Sequence, residues 1–235
     1  YISTKTKIAY LSEEINLYDV FWKLPITNYY EPKVGIVKKS IKINCLNQSE
    51  TDVLEEKIKN SKNCTVDIIN KVNNPNARRI KYKDVRKINI GISLKDLQSF
   101  RKKKKGAFYN CFALIIRVIY KNCFKEVHIK VFNTGKLEIP GIKEDELLTI
   151  ALETFLKILV NIVKHNITYD KNSVENVLIN SNFNCGFYID RSKLFNILKY
   201  KYNVHSLYDP CSYPGIQCKF YYNKLNKLND AQCKC

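Results

Sequence analysis

Apolar and polar residues alternate through Lys125–Ile139, with Ile129, Val131, Leu137 and Ile139 on one set of positions and Lys130, Phe132, Thr134 and Lys136 on the other. Strand side chains point to opposite faces with period two, so the segment predicts two strands joined by a tight Asn133-Thr134-Gly135 turn. One face turns to a core; the other is basic with an aromatic ring in it, which suits an anion-rich, stackable partner such as nucleic acid. A longer period takes over beyond Lys143. Leu148, Leu152, Phe155, Leu159 and Ile162 recur at helical spacing, and Glu144, Asp145 and Glu146 suit the positive end of the helix dipole, so 144–164 predicts a helix that covers a sheet.

Upstream, 2–11 reads as a strand, and Asn16 as the N-cap of a helix that carries Val20, Phe21 and Leu24 and stops at Pro25. Tyr30-Glu31-Pro32 makes a turn, and alternation returns over 35–44 as a second strand. The apolar run 108–119 is a further strand. The same order recurs near Val174: a strand over 174–189, a helix capped by Asp190 or Ser192 through Leu194, Ile197 and Leu198, then Tyr208-Asp209-Pro210, Gly215-Ile216 and a strand ending near Asn223. An internal duplication follows, and two strand–helix–strands–helix units can join into one curved antiparallel sheet with helices on its convex side. Counterparts of the Phe132 hairpin and of the long helix are expected beyond Cys235, as though both ends were cut from a longer protein.

Two stretches carry a resemblance. Val131-Phe132-Asn133-Thr134-Gly135-Lys136, a short apolar strand, Gly141-Ile142-Lys143 and an acidic helix start resemble the stirrup hairpin and following helix of TATA-box-binding proteins. Tyr208-Asp209-Pro210-Cys211-Ser212-Tyr213-Pro214-Gly215-Ile216 is similar to a Tyr-Glu-Pro segment of the second repeat in that family. The style is that of the TATA-binding-protein-like transcription factors of nucleocytoplasmic large DNA viruses, and the resemblance covers about 1–48 and 107–223. It implies an α+β saddle of two pseudo-symmetric repeats: a first over 1–165 with a basic insertion at 49–106, and an incomplete second over 166–235. It also implies minor-groove DNA contact, with phenylalanines wedged between base steps.

Carried residue by residue, the hairpin wedge is Phe132 and the lysine after the glycine is Lys136; Tyr213 stands where the second repeat has a wedge, and Phe112 is the candidate partner wedge in the first. Lys130, Thr134, Arg117, Lys219 and Asn176 complete the expected DNA-contacting set. Glu138 and Pro140 depart from the small apolar residues the family has on that face, which keeps open a second reading: an interaction scaffold of the transcription machinery that has lost TATA-specific binding.

A net charge of +18 changes the picture only through its placement, because Lys, Asn, Ile and Tyr are all abundant, as an A/T-rich coding sequence would make them. Within the insertion, 51–60 reads as an exposed helix, Asn73-Asn74-Pro75-Asn76 as a break, Arg78, Arg79, Lys81, Lys83, Arg86 and Lys87 as a basic band, and 101–106 as a lysine run that is either a solvated loop or a phosphate-contacting arm. Glu153 and Lys157 interrupt the apolar run 147–163, so it is too short and too charged to span a bilayer. Nine unpatterned cysteines favour a reducing compartment, although Cys211, Cys218, Cys233 and Cys235 could begin a metal or disulfide cluster. Glycine-rich phosphate loop, His-Glu-x-x-His motif and nucleophile elbow are all lacking, so no enzyme and no cofactor is expected. The expected partners are promoter DNA, other initiation factors and a viral RNA polymerase, in the infected cell's viral factory or nucleus, or packaged in the virion; a non-specific RNA-binding domain is a third possibility.

Overall fold

The computed structural model describes residues 1–98 and 108–220. They form two compact units, the first spanning Tyr1–Asn182 and the second starting at Phe183. The strand that opens the expected second repeat, Glu175–Ser181, lies within the first unit.

The first unit is built on an eight-stranded antiparallel sheet: β1 (Ile2–Tyr10), β2 (Gly35–Cys45), β3 (Cys64–Asn73), β4 (Tyr82–Gly91), β5 (Cys111–Tyr120), β6 (Cys123–Phe132), β7 (Lys136–Pro140) and β8 (Glu175–Ser181). Their spatial order is β3-β4-β2-β5-β6-β7-β1-β8, so the first strand returns to the sheet after β7 and then pairs with the opening strand of the second pass. Helices α1 (Leu17–Lys23), α2 (Gln48–Lys59) and α4 (Asp145–Val163) pack on one face. The short α3 (Leu94–Gln98) lies elsewhere, tied by Asp96 to Lys38 at 2.7 Å. The α+β class and the large antiparallel sheet are as the alternation predicts.

The core lies between that face and the helices. Leu148, Ala151, Leu152, Phe155 and Leu159 of α4 meet Ile129, Val131, Leu137 and Ile139 of β6 and β7, all buried. Fully burying one such side chain contributes about 1.5–3 kcal/mol, which is why this stripe sets the face of the sheet. Asn16 caps α1 by accepting from the Asp19 amide at 3.1 Å. The ammonium of Lys39 donates to the Phe21 and Leu24 carbonyls at 2.7 and 2.6 Å, closing the other end of α1, and burial pushes it down to about 8.

Over its described residues, 49–98, the insertion is built largely of helix and strand. Asn47 accepts from the Glu50 amide at 2.8 Å while the Glu50 carboxylate accepts from the Leu46 amide, also at 2.8 Å, so α2 opens on a reciprocal cap. Leu54 is fully buried, which corrects the exposed helix expected there. β3 and β4 then extend the sheet beyond β2, with Cys64, Val66 and Ile68 opposite Ile90, Ile88 and Arg86. The lysine run 101–106 lies outside the described residues.

In the second unit, α5 (Arg191–Asn196) is capped by Asp190, which accepts from the Lys193 amide at 3.0 Å, and runs into a π-helical turn over Ile197–Lys201. β9 (His205–Asp209) and β10 (Tyr213–Lys219) form a separate two-stranded sheet. Tyr208-Asp209-Pro210 therefore sits at a hairpin turn, where Asp209 accepts from the Cys211 amide at 3.1 Å, and not at the entrance to a strand of the large sheet. The predicted strand 174–189 is shorter, ending at Ser181: the Asn182 amide still bonds the Tyr1 carbonyl at 2.9 Å, and beyond it Asn184 accepts from the Gly186 amide at 2.8 Å in a turn.

Candidate nucleic-acid interface

The face of the sheet opposite α1, α2 and α4 is the outer face, and strand register orders its side chains into rows. The row at one end holds Asp67 of β3, Lys87 of β4, Lys42 of β2, Cys111 of β5, Phe132 of β6, Lys136 of β7 and Tyr10 of β1. The next holds Thr65, Asn89, Ser40, Ala113, Lys130, Glu138 and Ile8, mostly small side chains over which a ligand can approach the backbone closely. The far end differs. There Arg117 lies opposite Glu126, Glu126 accepts from the Leu94 amide of α3 at 3.0 Å, and the segment 29–33 folds over the guanidinium. Six residues of strand, about 20 Å, separate this covered end from Phe132.

Phe132 is half-buried, its ring outward on the row described and the Lys136 ammonium 5.7 Å from its centroid. The turn that carries it is fixed by its neighbours. Gly135, at φ +76°, donates to the Phe132 carbonyl at 3.1 Å, and a Cβ there would meet the Glu13 carbonyl oxygen at 2.3 Å, so only glycine fits. The Leu11 and Ile15 amides bond the Gly135 and Asn133 carbonyls at 2.9 and 2.8 Å, which ties the hairpin to the loop between β1 and α1. Thr134 is exposed at the tip of this turn rather than on the strand face.

Lys130 and Glu138 are cross-strand neighbours, joined at 2.6 Å. Glu138 is therefore neutralised by a lysine of its own row. Lys42 and Lys136 carry no carboxylate partner among the described residues; Lys42 lies 3.9 Å from the centroid of the Tyr109 ring, half-sequestered on an aromatic support.

Two expected contacts are corrected. Phe112 is wholly buried on the helix-facing side, its ring 6.1 Å from that of Phe21, because it shares strand parity with Leu114, Ile116 and Val118. It cannot reach a groove. Arg117 is on the outer face but only 6% exposed: its Nε and Nη1 donate to the Lys33 and Tyr29 carbonyls at 2.9 and 2.8 Å, and Nη2 donates to the Glu31 carbonyl. Its donor fork is spent on holding residues 29–33. Asn176 is exposed on the edge strand β8, paired with Lys7. Tyr213 and Lys219 are exposed at the two ends of β10 in the second unit. The structure thus brings together Phe132, Lys130 and Lys136.

Sequence reasoning missed Lys42, whose period-two spacing from Lys38 and Ser40 places it on the outer face, and Tyr10 at the end of β1. It also missed the Lys121-Asn122 turn, where φ of 50° and 57° gives the two-residue connection that aligns β5 with β6.

Among the described residues no group of three or more His, Cys, Asp or Glu side chains could hold a metal ion. Cys211 and Cys218 are free thiols, and Cys233 and Cys235 lie outside the described residues. No helix of the described chain is long and apolar enough to cross a membrane.

On the helix-covered side, His165 joins the end of α4 to the loop after β1. Its Nδ1 faces the Val163 carbonyl at 3.0 Å and its Nε2 the Glu13 carboxylate at 2.6 Å, so both ring nitrogens meet acceptors and the doubly protonated ring is favoured. The bond to Glu13, then that to Val163, raises its pKa above the usual histidine value. A raised folded-state value means that the stabilisation is complete below the unfolded-state pKa and is lost as pH rises through the folded one. Glu13→Gln is expected to bring the His165 titration midpoint down toward the ordinary range, read from its ring-proton shifts by NMR.

No protein-family model, no curated protein and no solved structure matches the chain.

Proposed function

We propose that the chain binds duplex DNA as a TATA-binding-protein-like initiation factor of the kind encoded by large DNA viruses, with the outer sheet face on the minor groove and Phe132 as a wedge between base steps. One observation carries this reading: a half-buried phenylalanine, beside a turn tied down by backbone bonds, stands outward at a sheet end in a row with Lys42, Lys87 and Lys136. A wedge needs a flat apolar ring that cannot swing away and cations to neutralise the phosphates that bending crowds together.

The pairing of β1 with β8 supports it. Two like units related by a two-fold axis can merge into one sheet only where the same strand of each meets its counterpart antiparallel. β1 and β8 are the opening strands of the two strand–helix passes, and they pair in that sense, Thr6 opposite Leu178 and Thr4 opposite Asn180. Recruitment of a viral RNA polymerase at promoters, in the viral factory or nucleus, is part of the same proposal.

The rival reading, a protein-interaction scaffold of the transcription machinery, draws on the Lys130–Glu138 pair and on the occupied Arg117, which leave this face less basic than the composition implies. A salt series separates them. In electrophoretic shift assays with an A/T-rich 30-base-pair duplex, the DNA reading expects log affinity to fall steeply and linearly with log salt, and Lys136→Ala to make the slope shallower by about 1. Absence of binding at 50 mM salt refutes it and favours the scaffold; preference for single strands favours the RNA-binding alternative.

A further inference from the structure

The β3–β4 hairpin overshoots the sheet on the same end that carries Phe132. Lys87 and Asp67 stand level with Phe132, while pairing continues through Val85, Asp84 and Lys83 to Tyr82 opposite Asn73. β2 stops at Cys45, opposite Asp84, so the last part of the hairpin projects past its neighbour. From Asn70 to Lys83 the chain holds Lys71, Arg78, Arg79, Lys81 and Lys83 and no acidic residue. Lys71, Arg78, Arg79 and Lys81 are exposed, and no ion pair is formed by any of the five among the described residues.

This projection is ordered. Its tip is closed by the Asn74 amide donating to the Lys81 carbonyl at 2.8 Å and by the Asn74 side-chain oxygen accepting from the Asn76 amide at 3.1 Å. Its root is pinned to α2, where the Tyr82 hydroxyl meets Thr51 Oγ1 at 2.7 Å and Gln48 Oε1 at 3.2 Å, and where Arg86 joins buried Asp84 and Glu55 at 2.7 and 2.8 Å. Unlike a lysine-rich tail, such an arm holds its cations in place without paying chain entropy when a ligand arrives.

We propose that this hairpin is a second, flanking phosphate-binding site that clamps the backbone of the duplex to one side of the Phe132 site. The inference rests on the DNA-binding reading. Charge complementarity selects the occupant: Lys81 and Lys83 share the strand parity of Lys87 on the outer face, Arg78 and Arg79 stand at the exposed tip, and these four unpaired cations fit a regular array of phosphates, whereas Lys71 lies opposite Asp84 on the other side. β3 lies four strand spacings from β6, about 19 Å, so the flanking contact falls about five to six base pairs from the wedge along a duplex crossing the strands.

The test uses the full chain and the A/T-rich duplex, comparing wild type with the triple variant Arg78→Ala/Arg79→Ala/Lys81→Ala and with Lys143→Ala/Lys157→Ala/Lys164→Ala, which removes the same charge at and around α4. The arm variant is expected to flatten the log–log salt slope by about 2.5 to 3 and to lose hydroxyl-radical protection on one flank only, with bending retained. The α4 variant should change the slope by well under 1. Equal slopes for the two variants, or an unshortened footprint, overturns the arm while leaving the Phe132 site standing. A wild-type protein that binds no duplex overturns both. Because all three arm residues are exposed, an unchanged thermal midpoint distinguishes lost contact from lost folding; should the midpoint fall, Arg79→Ala alone is expected to flatten the slope by about 1, and its failure to do so also overturns the arm.

Discussion

Phe132→Ala is expected to remove most of the bend from a duplex bound as proposed, while the protein remains folded. The ring is half-buried on the outer face, so its loss costs the fold only about 1 kcal/mol. The cations at Lys42, Lys87 and Lys136 stay, and encounter with DNA, which depends on them, continues. What would disappear is the proposed wedge between base steps, so equilibrium affinity is expected to fall tenfold or more, about 1.4 kcal/mol, and chiefly through faster dissociation. Fluorescence transfer between dyes at the duplex ends measures this directly. A variant that bends DNA as wild type does removes Phe132 from the mechanism.

The second large effect belongs to Arg117. Its guanidinium is the shared partner of the Tyr29, Glu31 and Lys33 carbonyls, and it stacks near the rings of Tyr29 and Phe124, at 5.6 and 5.1 Å from their centroids. Truncation leaves those three part-buried carbonyls without their donor. Arg117→Ala is expected to destabilise the protein by about 3–5 kcal/mol, from hydrogen bonds to a charged group at about 1.5–3 kcal/mol each with partial recovery by water. Arg117→Lys should recover little, because an ammonium cannot serve three acceptors held around a planar fork. Urea denaturation gives the number, and an Arg117→Ala protein of wild-type midpoint with weakened DNA binding would restore the residue to the DNA-contacting set.

Arg117 also marks where the sequence stops being readable. Its position on the outer face follows from alternation with Ala113 and Ile115, but its partners are backbone carbonyls of a segment more than eighty residues away, and no local pattern announces them. Phe112 is the opposite case: it shares parity with Leu114, Ile116 and Val118, and that alone assigns it to the core. The resemblance pulled it outward; the period was the better guide. The hairpin, the α4 stripe and the caps at Asn16 and Asp190 were legible because each is decided by residues within one or two turns of one another. The strands of the insertion were obscured by lysines, arginines and asparagines, although Arg86, Ile88 and Ile90 already alternate. Buried Lys39 breaks the alternation in β2 for a reason that exists only once α1 is packed above it.

Two backbone bonds and one glycine lock the Asn133-Thr134-Gly135 turn against the segment that follows β1. A turn mounted this stiffly leaves the backbone that carries Phe132 little range of movement. On the proposed DNA-binding reading, choice among sequences would pass to the nucleic acid itself: steps that unstack cheaply, TA and CA/TG, would accept the intruding ring and stiff A-tracts refuse it, so that preference would be written in the compliance of the helix rather than in hydrogen bonds to base edges.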